Sequence, residues 1–384
     1  MIRNQNNELM NKDKKEDKDL NLIQLFENSI EITEIPKVVD MYLKNAPSKK
    51  ISGFLLTSNL DLLNAIDNEK TFHYKIIKKS KNKESASFVI SKSLKRSKRL
   101  ISGNVLLIKT AHKNVFIALS DGTSEFIKFG VEKYFKDTYP NTAVVGLSSK
   151  NIYDSLSRLS KKLSVEIVAD RTVATKQILK NKKESEVTYT SISFEDAFKR
   201  ASEDDRWIDK IEFSAFDKSQ NRKRIMNAFI SRDSLFKVNK NFSLFYEFIV
   251  SYLADAAQKT YSFYSDRGRK QENGIREPKP LTIDFGQTVF DKPEKNKYLV
   301  EAIKQLNGIS ISVIHGNPYL HASILDLLDG SSYDLWVLSQ TRLILVPQLR
   351  ATTYSLNRVC DHITTKFREG EIKNFQVDDY AKSE

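Results

Sequence analysis

The sequence predicts a mixed α+β and α/β protein. Its N-terminal part should hold an antiparallel β-meander with helices, and its C-terminal part a mixed sheet flanked by helices. Three observations predict this. Two β-rich runs, 105–109 and 115–120, stand close together and lead into Asp121-Gly122, a two-residue hairpin signal. Apolar residues recur at helical spacing over 150–163 and 242–264. Beyond residue 187, strand-like and helix-like segments alternate, the pattern of a sheet with helices on its faces.

The elements follow in order. Residues 1–20 carry too few apolar groups to offset ordering entropy and read as a disordered lead-in. Leu22, Leu25, Phe26 and Ile30 predict one or two short helices, broken at Pro36. The runs 105–109 and 115–120, with a third strand at 124–129 after Asp121-Gly122, form the expected meander. A short helix over 131–136 stops before Tyr139-Pro140. Ser148 or Ser149 caps a helix whose apolar face is Ile152, Leu156, Leu159 and Leu163. Strands are expected at 165–169 and 187–192, separated by a basic loop or linker over 176–186 that marks a domain boundary. The predicted domains are therefore 21–175 (α+β, with a basic segment at 75–113) and 187–384 (α/β).

In the second half, a helix at 194–204 precedes a strand at 208–213. The longest helix covers 242–264, with Phe245, Phe248, Ile249 and Leu253 as its buried stripe. A basic loop then leads to a strand at 281–285, a helix at 295–306 and a strand at 309–314, read together as β-α-β. Strands at 335–338 and 343–346 and a helix over 351–367 complete the fold.

Composition narrows the class. The 384 residues carry 62 Lys+Arg against 49 Asp+Glu, a net charge of +13. The one cysteine, Cys360, excludes a disulfide framework and Cys-rich metal sites. No apolar run reaches membrane-span length, and no signal or transit pattern opens the chain, so a cytoplasmic protein with no membrane partner is expected. Few Gly and Pro with many Lys, Asn, Ser and Ile suit an AT-rich bacterial or phage genome. A phage, plasmid or antiviral-defence setting is the associated expectation.

The charge is concentrated. Between 74 and 113 lie Lys75, Lys78, Lys79, Lys81, Lys83, Lys92, Lys95, Arg96, Lys98, Arg99, Lys109 and Lys113, opposed only by Glu84. Smaller basic groups, read as loops, lie over 176–183, over 218–224 with Arg222, Lys223 and Arg224, and at Arg267, Arg269 and Lys270 with Arg276 and Lys279. One-signed segments in an otherwise balanced chain are the footprint of a polyanion, so DNA or RNA is the expected partner. An acidic protein subunit is the alternative partner. Lysine outnumbers arginine in the main cluster, which favours phosphate contact over base reading and predicts low sequence specificity. Aromatics beside basic loops, Phe216 and Tyr261, Phe263 and Tyr264, are candidates for base stacking or for core.

Motifs for P-loop, Rossmann, nucleophile-elbow and zincin chemistry are missing. For a metal-dependent nuclease, Glu277-Pro278-Lys279 and Glu371-Ile372-Lys373 match E-x-K by letter, the first in a loop and the second in the C-terminal tail. No cofactor is identified; a divalent metal is compatible with the residues near 315–329 but no motif specifies it. There a strand over 311–314, expected to be buried, ends at a mostly buried His315. A Gly316-Asn317-Pro318-Tyr319 turn follows, then His321, Asp326 and Asp329. His315, His321 and Asp326 are thus the candidate catalytic or metal-binding set of a phosphodiesterase or nuclease. The segment resembles phospholipase D-type phosphodiesterases, which use His-x-Lys followed by Asp and a Gly-Ser/Asn element. Here the residues are His321-Ala322-Ser323 with Asp329 beyond, Ser323 stands in place of the lysine, and Pro347-Gln348-Leu349-Arg350 replaces the later element. The resemblance implies a degenerate copy of that site.

Overall fold

The computed structural model describes residues 34–66, 69–70, 74–94, 98–138, 141–176, 186–219, 221–268, 277–317, 319–348 and 350–376. The protein is mixed α+β, and every strand pairing among the described residues is antiparallel.

Helix α1 (Ile35–Asn45) leads into β1 (Ile51–Ser58), α2 (Leu62–Ala65), β2 (Glu69–Lys70), β3 (Tyr74–Lys81), β4 (Ser85–Ser93), β5 (Leu100–Lys109) and β6 (Val115–Ser120). A π-helical segment (Phe126–Glu132) runs into α3 (Lys133–Asp137), then β7 (Thr142–Val144), α4 (Ser149–Leu163), β8 (Val165–Thr175), β9 (Glu186–Ser193) and α5 (Phe194–Glu203). Next come β10 (Trp207–Asp217), β11 (Lys223–Ser231), β12 (Phe236–Val238) and a long helix. The helix is built from α6 (Phe242–Phe245), a π segment (Tyr246–Val250) and α7 (Ser251–Ser265). The chain ends with β13 (Leu281–Asp284), α8 (Pro293–Lys304), β14 (Ile309–His315), β15 (Leu320–Asp326), β16 (Ser331–Val337), β17 (Arg342–Pro347), α9 (Thr353–His362) with a π extension (Ile363–Phe367), and β18 (Glu371–Asn374).

A twelve-stranded sheet has the order β2-β3-β4-β5-β6-β1-β12-β11-β10-β8-β9, with β7 also on β1. Alternate residues of its strands feed two hydrophobic clusters. One, containing Leu55, Ile117, Ile167, Phe213 and Ile230, packs under α1, α4, α5 and the long helix. The other, containing Phe54, Phe88, Val105 and Phe116, packs under α2 and the Phe126–Asp137 segment. A six-stranded sheet, β14-β15-β16-β17-β13-β18, buries a third cluster under α8 and α9. The long helix serves two of these cores: Leu253 and Ala257 pack in the first cluster, and Tyr264 packs in the third.

Several sequence expectations are corrected. Pro36 sits in the first turn of α1, where its missing N–H costs nothing, and the helical residues expected at Leu22, Leu25, Phe26 and Ile30 lie outside the described residues. Asp121-Gly122 is not a hairpin turn. Thr123 Oγ1 accepts from Phe126 N at 3.2 Å, and the chain coils, so that Phe126, Ile127, Gly130 and Val131 bury one helical face instead of alternating. The segment 176–186 does not divide the core. The strands on either side, β8 and β9, are paired, and residues from both sides share one cluster; residues 177–185 lie outside the described residues. Neighbouring strands of the C-terminal sheet are all antiparallel, not mixed; β13, α8 and β14 follow one another as expected, with three strands of the sheet lying between β13 and β14. The N-cap at Ser148 holds: its side chain and that of Asn151 form a reciprocal capping box.

Candidate nucleic-acid interface

The main basic segment is not a loop. Tyr74 and Ile76 alternate inward, Ile76 opposite Ile90, and share one hydrophobic cluster with Ile90 and Phe88, which folds the lysines into a β3–β4 hairpin near the edge of the large sheet. Asn82 makes the turn, its Oδ1 accepting from Glu84 N at 2.8 Å and Ser85 N at 2.7 Å. Lysines emerge on both faces. Lys75 lies opposite Ser91, which lies opposite Ser102, and these two hydroxyls are 2.7 Å apart on an exposed stretch of sheet. Lys78 and Lys92 share the opposite face with Phe88 and Tyr74. Lys75, Lys79, Lys81, Lys83, Lys98 and Arg99 are exposed.

Some of these cations are engaged within the protein. Lys92 Nζ donates to Tyr74 Oη at 2.6 Å and lies 4.5 Å from the Tyr74 ring centroid. Burial, with the Asp137 carboxylate at 2.8 Å, keeps the Tyr74 phenol protonated far above its ordinary range. Lys81 donates to Asn64, and Arg99 pairs with Glu125. Lys95 and Arg96 fall outside the described residues, as do Arg269 and Lys270.

The smaller basic groups separate by role. Arg222 is exposed and pairs with Glu166 at 2.6 Å, 5.8 Å from the Phe216 ring; Lys223 and Arg224 are exposed at the start of β11, a strand and not a loop. Arg267 is structural instead. It is buried, its guanidinium lies 3.5 Å from the Phe263 ring centroid, its Nη1 donates to Phe263 O at 2.6 Å, and it also reaches Asn374 on β18.

The expected catalytic set does not converge. β14 and β15 fold back as a hairpin, so His315 and His321 are cross-strand partners. The burial expectation is reversed: His315 is exposed, whereas His321 is partly covered by Trp336, stacked at 3.6 Å between centroids and 11°. Strand 311–314 is a half-exposed to exposed edge, not a buried strand. Asp334 is the acid near His321, at 4.0 Å from Nε2. Asp326 lies five residues along β15 from His321, ~17 Å away and on the opposite face. It is fully buried and accepts from Arg358, Ser355 Oγ and Leu328 N. Asp329 accepts from Ser331 N and Thr352 Oγ1. Among the described residues, no group of three or more His, Cys, Asp or Glu side chains could hold a metal.

One constellation set aside in the sequence is assembled by the fold. Glu371-Ile372-Lys373 is not in a loose tail but forms β18, where Glu371 lies directly opposite Asp284 of β13. Lys373 Nζ sits 2.9 Å from Glu371 Oε2 and 3.4 Å from Asp284 Oδ2. Burial works to raise the Asp284 carboxyl, but the Gly286 N–H, Lys373 and Arg342 outweigh it and hold it below the usual range. A cleft of about 470 Å³ opens beside it, lined also by Ser149, Lys150, Arg206 and Trp207. The pairing of β13 with β18 skips 86 intervening residues, so no local pattern signals it.

Comparison with protein-family models and with curated proteins returns no match for this chain. No helix among the described residues is long and apolar enough to cross a membrane.

Proposed function

We propose that this protein binds nucleic acid through backbone phosphates, with low sequence specificity, along the β3–β4 edge. The observation that carries the reading is that Lys75, Lys79, Lys83 and Lys98 project exposed from the β3–β4 hairpin, Lys79 at its bulge, and from its turns, beside serine hydroxyls of the same sheet. A β-hairpin holds cations at fixed spacing, and lysine acts on a phosphate as a point charge without reading bases. Arg99, the described guanidinium of this segment, is paired with Glu125, which leaves the lysines to dominate the contact. A cytoplasmic setting belongs to the same reading. Cys360 fits it, with a buried thiol pushed up to about 12 by burial.

The test is fluorescence anisotropy with duplex and single-stranded DNA and RNA over a salt series. Affinity should fall with a log–log slope of about −0.9 per phosphate contacted on duplex DNA. Changing Lys75, Lys79, Lys83 and Lys98 together to Glu should abolish binding. Undiminished affinity in that variant would overturn the assignment, and binding only to acidic protein would favour the alternative partner.

A second reading, hydrolysis of the bound polyanion, is favoured by the convergence of Asp284, Glu371 and Lys373 beside a cleft. Asp284 already has cationic partners, so a divalent metal would have to displace Lys373 or Arg342. Cleavage that requires Mg2+ or Mn2+ and disappears in Asp284→Asn would establish it; intact substrate under those conditions leaves binding alone.

A further inference from the structure

We propose that two copies of this chain associate edge to edge through β14, pairing it antiparallel with itself about Ile311 so that the two six-stranded sheets become one. This goes beyond the nucleic-acid reading and uses a different part of the surface.

β14 is an edge strand with the sequence ISISVIH and no formal charge at neutral histidine. An unguarded edge is a template for another strand, and proteins usually blunt such edges by shortness, charge or a backbone irregularity. The other edges here are blunted. β2 has only two residues, Glu69 and Lys70. β18 is four residues long and carries Glu371 and Lys373. β9 carries Glu186 and is interrupted at Ser191, whose φ of 55° departs from strand geometry. β14 runs regularly from Ile309 to Val313, with its irregularity only beyond Val313.

The strand is also left apolar at the surface. Six of the twelve large hydrophobic side chains that stand exposed among the described residues are Val313, Ile314, Tyr319, Leu325, Leu327 and Leu328, all in the β14–β15 hairpin or just past its end. Ile309 and Ile311 pack only partly against the core on the face that Val313 shares.

The sequence of β14 complements itself. Antiparallel pairing about a two-fold axis perpendicular to the sheet keeps each residue on its own face, so only residues of the same parity meet. Centred on Ile311, the register sets Ile311 against Ile311, Ile309 against Val313 and Ser310 against Ser312. Apolar meets apolar on the core side, and hydroxyl meets hydroxyl on the other. The same operation carries Leu327 and Leu328 at one end of the strand towards Ile314 and Tyr319 at the other end of the copy. Charge points to the same occupant. Copies of a chain of net +13 repel, and an uncharged strand is where they can meet without opposing like charges. The contact is isologous and closes at two.

The experiment is sedimentation equilibrium of the full chain without nucleic acid, at low and high salt. A monomer–dimer equilibrium that tightens as salt rises is expected, opposite to the salt effect on nucleic-acid binding, so the two readings fail separately. Ser312→Lys places a charge on an exposed position beside the two-fold axis and should yield a monomer with the wild-type melting temperature. Should that variant misfold, Ser310→Lys carries the same expectation. Ile311→Cys should form an inter-copy disulfide under oxidation, since the native Cys360 is buried. A wild-type monomer at all concentrations, a dimer undisturbed by either lysine, or assemblies larger than two would each overturn the proposal.

Discussion

Arg358 on α9 reaches across to β15 and holds its Nη2 2.6 Å from Oδ1 of Asp326, a carboxylate with no exposed surface. Ser355 Oγ, 2.8 Å from Oδ2, closes the other side, and the same guanidinium donates to Asn307 O at 2.6 Å. This residue, a catalytic candidate in the sequence, therefore works as a clamp between the six-stranded sheet and its covering helix. Removing one partner of a buried pair strands the other, at a cost of about 3–5 kcal/mol. Arg358→Met should lower the unfolding free energy extrapolated from urea titration by an amount of that order. Asp326→Asn, which keeps two hydrogen-bonding atoms, should cost less. Equal stability of Arg358→Met and wild type would show that the pair contributes nothing.

Phe126 explains three glycines. A Cβ at Gly103, Gly122 or Gly130 would lie 2.6, 2.5 or 2.9 Å from the nearest atom of its ring. Gly122 is not among the residues with positive φ, so close approach and not turn geometry demands glycine there. Gly122→Val should destabilise by ~1–3 kcal/mol through overpacking. Phe126→Leu, costly by itself, should make the second substitution cheaper in a double-mutant cycle. Additive losses would remove the ring as the cause.

What was legible in the sequence was local. Ser148 and Asn151 announce the start of α4 three residues apart, and Ile152, Leu156 and Leu159 show its buried face. The candidate site was legible as charge but not as shape. Lys75, Lys78, Lys79 and Lys81 hide the alternation of Tyr74 and Ile76, and only the pairing with Ile90 and Phe88 reveals a strand. Asp121-Gly122 misled because the same two residues serve a hairpin or the lead into a helix, and Thr123 together with the spacing of Phe126, Ile127, Gly130 and Val131 decides between them. His321 and Asp326 looked near because they are near in sequence, yet an odd separation along a strand puts them on opposite faces.

Asp361 supplies a pH dependence. It lies on α9 against Gly146, facing Arg232, Asp233, Lys136 and Lys366. Burial pushes its carboxyl up to about 6, with Arg232 pulling the other way. The folded state thus binds this proton more tightly than the unfolded chain, whose carboxyl titrates near 4. Stability from this group is full below about pH 4 and is lost as pH rises to about 6, the reverse of a salt-bridged carboxylate. Urea midpoints of wild type and Asp361→Asn between pH 4 and 7 should therefore diverge, the wild type losing ground as pH rises. Parallel curves would rule out the raised carboxyl.

Arg267 and the β3–β4 lysines were one class in the sequence and are two in the structure. The guanidinium of Arg267 lies over Phe263, and its hydrogen bonds tie the end of α7 to β18. Burial lowers its proton affinity, the mark of a cation withdrawn from water and not offered to a ligand. A desolvated cation–π contact is worth about 2 kcal/mol, and the lost hydrogen bonds to a charged group add ~1.5–3 kcal/mol. Arg267→Ala should therefore lower the melting temperature while leaving the affinity of the folded protein for duplex DNA and its salt slope as in wild type. Lys75→Glu should do the converse, weakening binding and flattening the slope by about one phosphate contact at unchanged stability. Both properties are measured on each variant, melting by circular dichroism and affinity well below the transition. If Arg267→Ala loses affinity while still folded, the α7–β13 connection belongs to the interface, and the contact surface extends from the large sheet onto the six-stranded one.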